Sequence, residues 1–556
     1  MEHTNSDKSS VKPTAMEQEY IELGSASSNP LDSRKVGSTN PLASTKPNGG
    51  GQAEEPHTLP FWQAVKRYPK VVGYCLALTV AVIGWGYDLA IVGAVPGVDS
   101  FKDDYGVMHK GKMIIPGVWL GLFLGLPPAG SALGSVTAGE LQDRIGRRFS
   151  LMVGSIVSGI AVSLIFFSHL APDPSSKRTM FTVGITIQGY SVGIIKVVCM
   201  TYVSENAPTA IRGSAMGLFP TFNLLGQLIG VIVLFIVNDL GTTGYLGAFG
   251  SQWVLSLAPF IISCVMPESP AYYVRKDDDV RAQRSAKRLF APRVDPQVML
   301  KEIREVIEEE MALTAGIGWK MCFYPHNLRR TMIVILANLI PTFFGLDLLS
   351  NASVFLQTMG VDSDVSLLML IVGIVCGMLG NGAGMWMLTK VGRRPATLWT
   401  TAIAGALWGV LGIMGFWKSQ VLGYVSAGII IAIVVVVAVG AWPGSYAIAG
   451  EASALRMRSK TQAVGAVLAQ ISSVIMGLIL PLIFSEDQGN LGGRTGLVYV
   501  GLCAVGIVLG WLYIPEMKDR SALEIDHMFE LKLPARQFRH WRAEGQGEVV
   551  VVAGRD

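Results

Sequence analysis

The sequence predicts an all-α membrane protein with twelve transmembrane helices in two six-helix halves. Composition is the first ground: half of the residues are hydrophobic and only 15% are charged. The mean hydropathy is +0.43, a balance that suits a chain facing lipid rather than water. The second ground is a count of twelve apolar stretches long enough to cross about 30 Å of hydrocarbon at 1.5 Å per residue. The third is repetition. Gly146-Arg147-Arg148 returns as Gly392-Arg393-Arg394, Glu205 with Arg212 returns as Glu451 with Arg458, and Pro267-Glu268 returns as Pro515-Glu516, at offsets of 246 to 248 residues. So constant an offset marks a duplicated membrane unit whose halves enclose one central pathway, the architecture of a secondary transporter.

Residues 1–60 are rich in Ser, Thr, Asn, Pro and Gly and carry no apolar run. They bury too little surface to fold alone and read as a disordered cytosolic tail. They also lack the charged start and apolar stretch of a secretory signal, so the first spanning helix directs insertion. The N-terminal six-helix half, 61–266, holds spans near 71–95, 113–138, 149–170, 180–203, 213–238 and 246–266. Residues 267–330 are dense in Arg, Lys, Asp and Glu and form a cytosolic linker with an amphipathic helix around Gln297 to Met311. The C-terminal half, 331–515, holds spans near 331–358, 364–388, 395–416, 420–448, 460–485 and 495–514, and 516–556 form a cytosolic tail. Basic clusters at Arg144/Arg147/Arg148, Arg275 to Arg288, Arg329/Arg330 and Arg393/Arg394 fall on one side of this count. The positive-inside bias then places both termini in the cytosol, with the plasma membrane as the expected host.

Several function classes drop out. The net charge of +4 comes from Arg and Lys beside apolar segments rather than from a basic face, which argues against a nucleic-acid partner. The six cysteines are scattered, with no CxxC or Cys/His spacing for a metal, and read as small buried hydrophobes. No nucleophile-base arrangement or phosphate-cradling loop marks an enzyme or an ATP-driven pump, and no cofactor is implied. Asn351-Ala352-Ser353 matches a glycosylation acceptor but lies inside the seventh span, out of reach of the modifying enzyme.

At Gly139-Glu140-Leu141-Gln142-Asp143-Arg144-Ile145-Gly146-Arg147-Arg148 the chain resembles the G-x-x-x-D-R-x-G-R-R loop of the major facilitator superfamily. Pro267-Glu268-Ser269-Pro270, and Pro515-Glu516-Met517-Lys518-Asp519-Arg520 followed by Leu523-Glu524 and Glu530, resemble two elements of its sugar porter family. Arg67-Tyr68-Pro69-Lys70, Gly86-Tyr87-Asp88 and the stretch from Glu451 to Thr461 look most like the fungal alpha-glucoside and maltose permease branch. The resemblance covers roughly residues 60–531. It implies the major facilitator fold and transport of a sugar or sugar-like solute by alternating access, with a proton as coupling partner. A carrier for a non-sugar solute, anionic or a secondary metabolite, stays open in either direction of transport, as does a transporter-like nutrient sensor.

The resemblance also implies roles. Asp143, Arg144, Arg147 and Arg148 pair with Glu205/Arg212 and Glu451/Arg458, joined by Arg393 and Arg394, in a latch that clamps the halves; plain positive-inside topology is the alternative for the Arg residues. In the second half Thr389-Lys390 stands where the first has Asp143-Arg144. Asp88 is implied in proton coupling, although Trp85 replaces an acid that precedes it in that branch. Gln227 and Asn223, one turn apart, and Tyr446, an aromatic for stacking on a sugar ring, are implied sugar contacts. Two glutamines that the family uses on hexose hydroxyls are Pro220 and Pro341 here, and these prolines read as interruptions of their helices.

Two further ionisable groups lie inside spans, where a charge is expensive and marks a functional site by default. Lys196, in the fourth, either faces the cavity or snorkels to the lipid interface. Asp347 falls where sugar porters commonly carry a sugar-binding Asn; it and Lys196 either pair across the halves or stand apart with the solute between them.

Overall fold

The computed structural model describes residues 61–541 apart from 239–240, 242, 315–317, 418, 455–456, 521 and 540. The expectation for residues 1–60 and the end of the C-terminal tail lie outside them. The described residues fall within one compact unit, Glu55–Asp556.

A short helix α1 (Phe61–Arg67) leads through Tyr68 to α2 (Pro69–Ala94), whose proline sits where a first-turn N–H has no partner to lose. At the far end of α2, the short α3 (Asp99–Tyr105) precedes a hairpin of β1 (Val107–His109) and β2 (Lys112–Ile114). Lys110 and Gly111 turn it with φ of 48° and 83°, the signs a two-residue hairpin loop needs. Met113 and Ile114 therefore belong to a strand rather than to the second span, and α4 (Gly117–Ile145) starts only beyond Pro116. The N-terminal half continues with α5 (Arg147–Phe167), α6 (Pro174–Asn206), α7 (Thr209–Asn238) and α8 (Gly244–Val265).

Three linker helices follow, α9 (Pro270–Val274), α10 (Asp279–Phe290) and α11 (Pro296–Thr314). Leu289, Phe290 and Val294 bury against Tyr68 and Val71 at the base of α2, so the linker is seated on the N-terminal half. The next helix, α12 (Pro325–Phe344), begins inside the expected linker because Pro325 presets its first turn.

The seventh span is not one helix. It breaks at Gly345 and again at Asn351 into α12, α13 (Leu346–Ser350) and α14 (Ala352–Thr358). Gly345 has φ +93°, and a Cβ there would stand 2.9 Å from the Tyr499 ring and 3.0 Å from that of Trp408, so only glycine fits. For this reason 11 of the described helical segments, not twelve, are long and apolar enough to cross a bilayer unaided. The rest of the half comprises α15 (Ser363–Val391), α16 (Arg393–Met414), α17 (Gln420–Val439), α18 (Ala441–Ala452), α19 (Arg458–Phe484) and α20 (Thr495–Tyr513).

The prolines behave differently from expectation. α7 runs unbroken through Pro220, and α12 passes Pro341 before it ends at the glycine. The cysteines also divide: Cys199, Cys322 and Cys503 are buried, whereas Cys264 is exposed. Beyond α20 the chain stays ordered in α21 (Ala522–Glu530), where Ile525, Met528 and Phe529 are buried. Arg330 ties this helix down: its Nε donates to the Ala452 carbonyl at 3.0 Å, its Nη2 pairs with Asp526, and its guanidinium lies 4.6 Å from the Phe529 ring.

Candidate functional site

The repeated loops build two matching clasps at the linker face. Gly146 and Gly392 have φ of 91° and 104°, which turns the chain sharply between α4 and α5 and between α15 and α16. That turn aims the first N–H groups of α5 and α16 at a carboxylate. Glu268 accepts from Arg147 N at 2.7 Å and Arg148 N at 3.0 Å; Glu516 accepts from Arg393 N and Arg394 N, each at 3.1 Å. A carboxylate on a helix N-terminus meets unpaired donors and the positive end of the dipole together. Burial pushes the Glu268 carboxyl above the ordinary glutamate value, while the N–H donors and the Arg147 guanidinium pull it back.

The side chains of the two clasps also match. Arg147 Nη2 meets Glu205 at 2.7 Å, and Arg393 Nη2 meets Glu451 at 2.8 Å. Arg148 donates to the Ser263 and Cys264 carbonyls at the end of α8, and Arg394 donates to the Trp511 carbonyl near the end of α20. Each of these ion pairs closes within one half. The paired helix ends of a half are held together by these contacts. Asp143 reaches Arg147 only at 3.8 Å, and Arg144 pairs with the exposed Glu140. Arg212 turns to the Ala207 carbonyl, and Arg458 is exposed, 3.8 Å from where a Cβ on Gly450 would lie.

The halves join instead at the opposite face. Gln357 Nε2 and the Ser363 hydroxyl both donate to the Gly97 carbonyl, at 2.9 and 2.7 Å; Gly117 N donates to Asp487 at 2.9 Å, and Asn238 to Asp364. The halves are tied together there.

A cavity of about 250 Å³ lies between the halves, and Asp88, Lys196 and Asp347 all line it. Asp88 on α2 is buried and accepts from Gln188 Nε2 at 2.5 Å and from Gln252 Nε2 at 3.0 Å. Ser158 and Ser256, 2.7 Å apart, extend this network behind Gln188. Lys196 on α6 extends over the Trp85 ring, 4.8 Å from its centroid, and among the described residues no carboxylate comes within 4.0 Å of it. Its ammonium thus faces the cavity, not the lipid, and the Lys196–Asp347 pair left open by the sequence is not formed. Asp347, at the start of α13, is hydrogen-bonded by Ser473. It also lines an adjoining space of about 150 Å³ with Asn338, Tyr446, Gln470 and Ser473.

The expected sugar contacts are not gathered in one place. Gln227 donates to Asn223 Oδ1 at 2.8 Å and lines a separate, mainly apolar cavity with Leu224, Val231 and Leu349. The Asn223 backbone fills the space beside Gly86, where a Cβ would overlap its carbonyl, and so sets the close crossing of α2 and α7. Sequence reasoning missed Gln188, Gln252, Asn338, Gln470 and Ser473. Gln188, Val192 and Lys196 recur every four residues on one face of α6, a spacing that exposes Gln188 as a neighbour of the cavity. Nothing in the local sequence singles out Gln252.

Two six-helix halves around a cavity lined by three ionisable groups, tied together at one face, define a multi-pass membrane carrier of the alternating-access kind. The model of the sugar (and other) transporter family matches residues 74–529, and the chain belongs to that family. It is 28% identical over 510 residues to the MFS transporter fmqE of Aspergillus fumigatus, covering 88% of this chain and 92% of the relative. It is 25% identical over 543 residues to the general alpha-glucoside permease of Saccharomyces cerevisiae, covering 95% and 86%. The inward-open xylose transporter XylE of E. coli superposes with a TM-score of 0.68 at 18% identity, covering 82% of this chain and 99% of that one.

Proposed function

We propose that this protein is a secondary active transporter that moves a sugar or sugar-like small polar solute by alternating access, with a proton coupled through Asp88. One observation carries the reading: Asp88 and Lys196 from one half and Asp347 from the other line a single cavity sealed at one face. The linker face, with its basic clusters, is the cytosolic side, both termini lie there, and the plasma membrane is the host. The domain division is the one set out above: a cytosolic N-terminal tail, two six-helix halves, the linker between them and a cytosolic C-terminal tail. The likeness to an alpha-glucoside permease supports a glycoside as solute.

Each Arg/Glu clasp acts as a conformational latch. Exposed ion pairs contribute only about 0–1 kcal/mol each, so the latch depends on clusters that dock against each other when the cytosolic side closes. A second reading, an anionic non-sugar solute, is favoured by Lys196, whose ammonium has no carboxylate beside it.

The test is uptake of labelled glucose, maltose and succinate into cells lacking their own hexose and maltose carriers, with and without a protonophore. Protonophore-sensitive maltose or glucose uptake is expected. Succinate uptake without sugar uptake would replace the first reading by the second, and an absence of flux for all three would overturn both solute readings.

A further inference from the structure

Lys196 and Asp347 pose a problem that neither a neutral sugar nor a simple anion solves. Both are ionisable groups inside membrane spans, and both line the same cavity, one from each half. A charge held away from water is costly until an opposite charge or a set of hydrogen bonds meets it. Asp88 meets that demand inside its own half, through the side-chain amides of Gln188 and Gln252. It has no need of Lys196, and among the described residues no ion pair joins the two.

Among the described residues the Lys196 ammonium meets the face of Trp85 and no carboxylate. A cation over an indole gains about 0.5–2 kcal/mol, less than a buried ammonium needs. Asp347 has the Ser473 hydroxyl but no cation within 4.0 Å among the described residues. The cavity thus presents an unpaired positive group on one wall and an unpaired negative group on the opposite wall.

The surface between them is largely apolar. Leu89, Val92, Phe123, Leu124, Ile185 and Leu346 supply most of it, with Pro127 and Pro128 beside them. Ser131, Gln188, Ser350, Asn351, Gln470 and Ser473 also line the cavity, but the apolar stretches among them offer a hydroxyl no partner, and each hydroxyl left unpaired counts against a ligand by roughly 1–3 kcal/mol. These stretches suit a hydrocarbon body.

We infer that the preferred solute is an amphipathic zwitterion, whose anionic group seats on Lys196, whose ammonium seats on Asp347, and whose apolar body fills the space between. A monoanion satisfies Lys196 and leaves Asp347 alone; a monocation does the reverse; a neutral sugar leaves both. A zwitterion pairs both walls and also bridges the two halves that line the cavity. The inference rests on the carrier reading of this cavity alone and departs from the sugar solute of that reading, putting a doubly charged amphipath in its place.

The test uses the full-length protein in detergent and two matched sets of probes. One set is 4-(aminomethyl)benzoate, 4-methylbenzoate and 4-methylbenzylamine; the other is 6-aminohexanoate, hexanoate and hexylamine; maltose is the neutral reference. Ligand-induced shifts in melting temperature are read for the wild type and for Lys196→Met, Lys196→Arg and Asp347→Asn. In at least one set the zwitterion is expected to raise the melting temperature more than both singly charged members and more than maltose. Lys196→Met and Asp347→Asn each abolish that preference, whereas Lys196→Arg keeps it. Melting of the unliganded variants separates lost binding from lost folding.

The inference is overturned if neither zwitterion exceeds its singly charged partners, if the preference survives both charge-removing variants, or if maltose gives the largest shift. Proteoliposome uptake of maltose and of the best-binding probe forms a separate arm. An absence of flux for both, with the charge-dependent shifts intact, would remove the carrier reading and leave the zwitterion site standing.

Discussion

Asp88 shows how a single carboxylate is kept inside a membrane span. It is 9% exposed and held by two glutamine amides from two different helices, α6 and α8. Substituting Asp88→Asn is expected to abolish protonophore-sensitive accumulation and leave downhill exchange, measured as uptake against exchange in proteoliposomes; unchanged accumulation across pH would take Asp88 out of coupling. Gln188→Leu removes one of its two donors and is expected to cost about 1–3 kcal/mol, the price of an unsatisfied buried polar group, seen as a lower melting temperature in detergent. Asp88 and Lys196 were legible in the sequence because a charge inside an apolar run stands out by itself. Gln188 and Gln252 were not, since an uncharged amide on a helix face has no such contrast. Residue type and spacing put Asn223 and Gln227 on one face of α7, where they are hydrogen-bonded to each other; the close approach of the Asn223 backbone to Gly86 was not legible, because it depends on the crossing with α2.

At the level of elements, the clasps of the two halves repeat in geometry but not in burial. Arg147 and Glu205 are 2% and 9% exposed, against 23% and 27% for Arg393 and Glu451. Glu205→Ala leaves a guanidinium buried without its carboxylate and is expected to cost about 3–5 kcal/mol. Glu451→Ala leaves a partly solvated one and is expected to cost about 1 kcal/mol or less. Thermal unfolding of the two variants side by side checks the order, and equal losses would contradict it. The duplication itself was plain in the sequence, because Gly-Arg-Arg, the paired glutamates and the Pro-Glu motifs keep their spacing. The break of the seventh span was hidden, because Gly345 and Asn351 sit in an apolar stretch whose composition reads as one helix. What breaks it is the packing of Tyr499 and Trp408 against the Gly345 Cα, a contact made from two other helices.

For the whole molecule, the direct hydrogen bonds between halves at Gly97, Gly117 and Asn238 mark the far face as the closed gate. A Cβ built on Gly117 lies 3.0 Å from the Ser485 Cβ, close enough for a bridge after a small adjustment. A Gly117→Cys, Ser485→Cys pair is expected to stop transport when oxidised and to recover it with a thiol reductant; undiminished flux in the oxidised form would show that this face does not open. The clasps have a separate consequence. Because the ion pairs at the linker face close inside one half, and the linker helices seat on the N-terminal half through Phe290 and Tyr68, neither half depends on its covalent bond to the other for its own folding. Two fragments encoded by separate genes, one ending after α11 and the other beginning at Trp319, are expected to find each other in one membrane and restore uptake. The peptide connection then serves to fix stoichiometry, while recognition between the pieces resides in the intramembrane surfaces of α4 against α19 and α7 against α15.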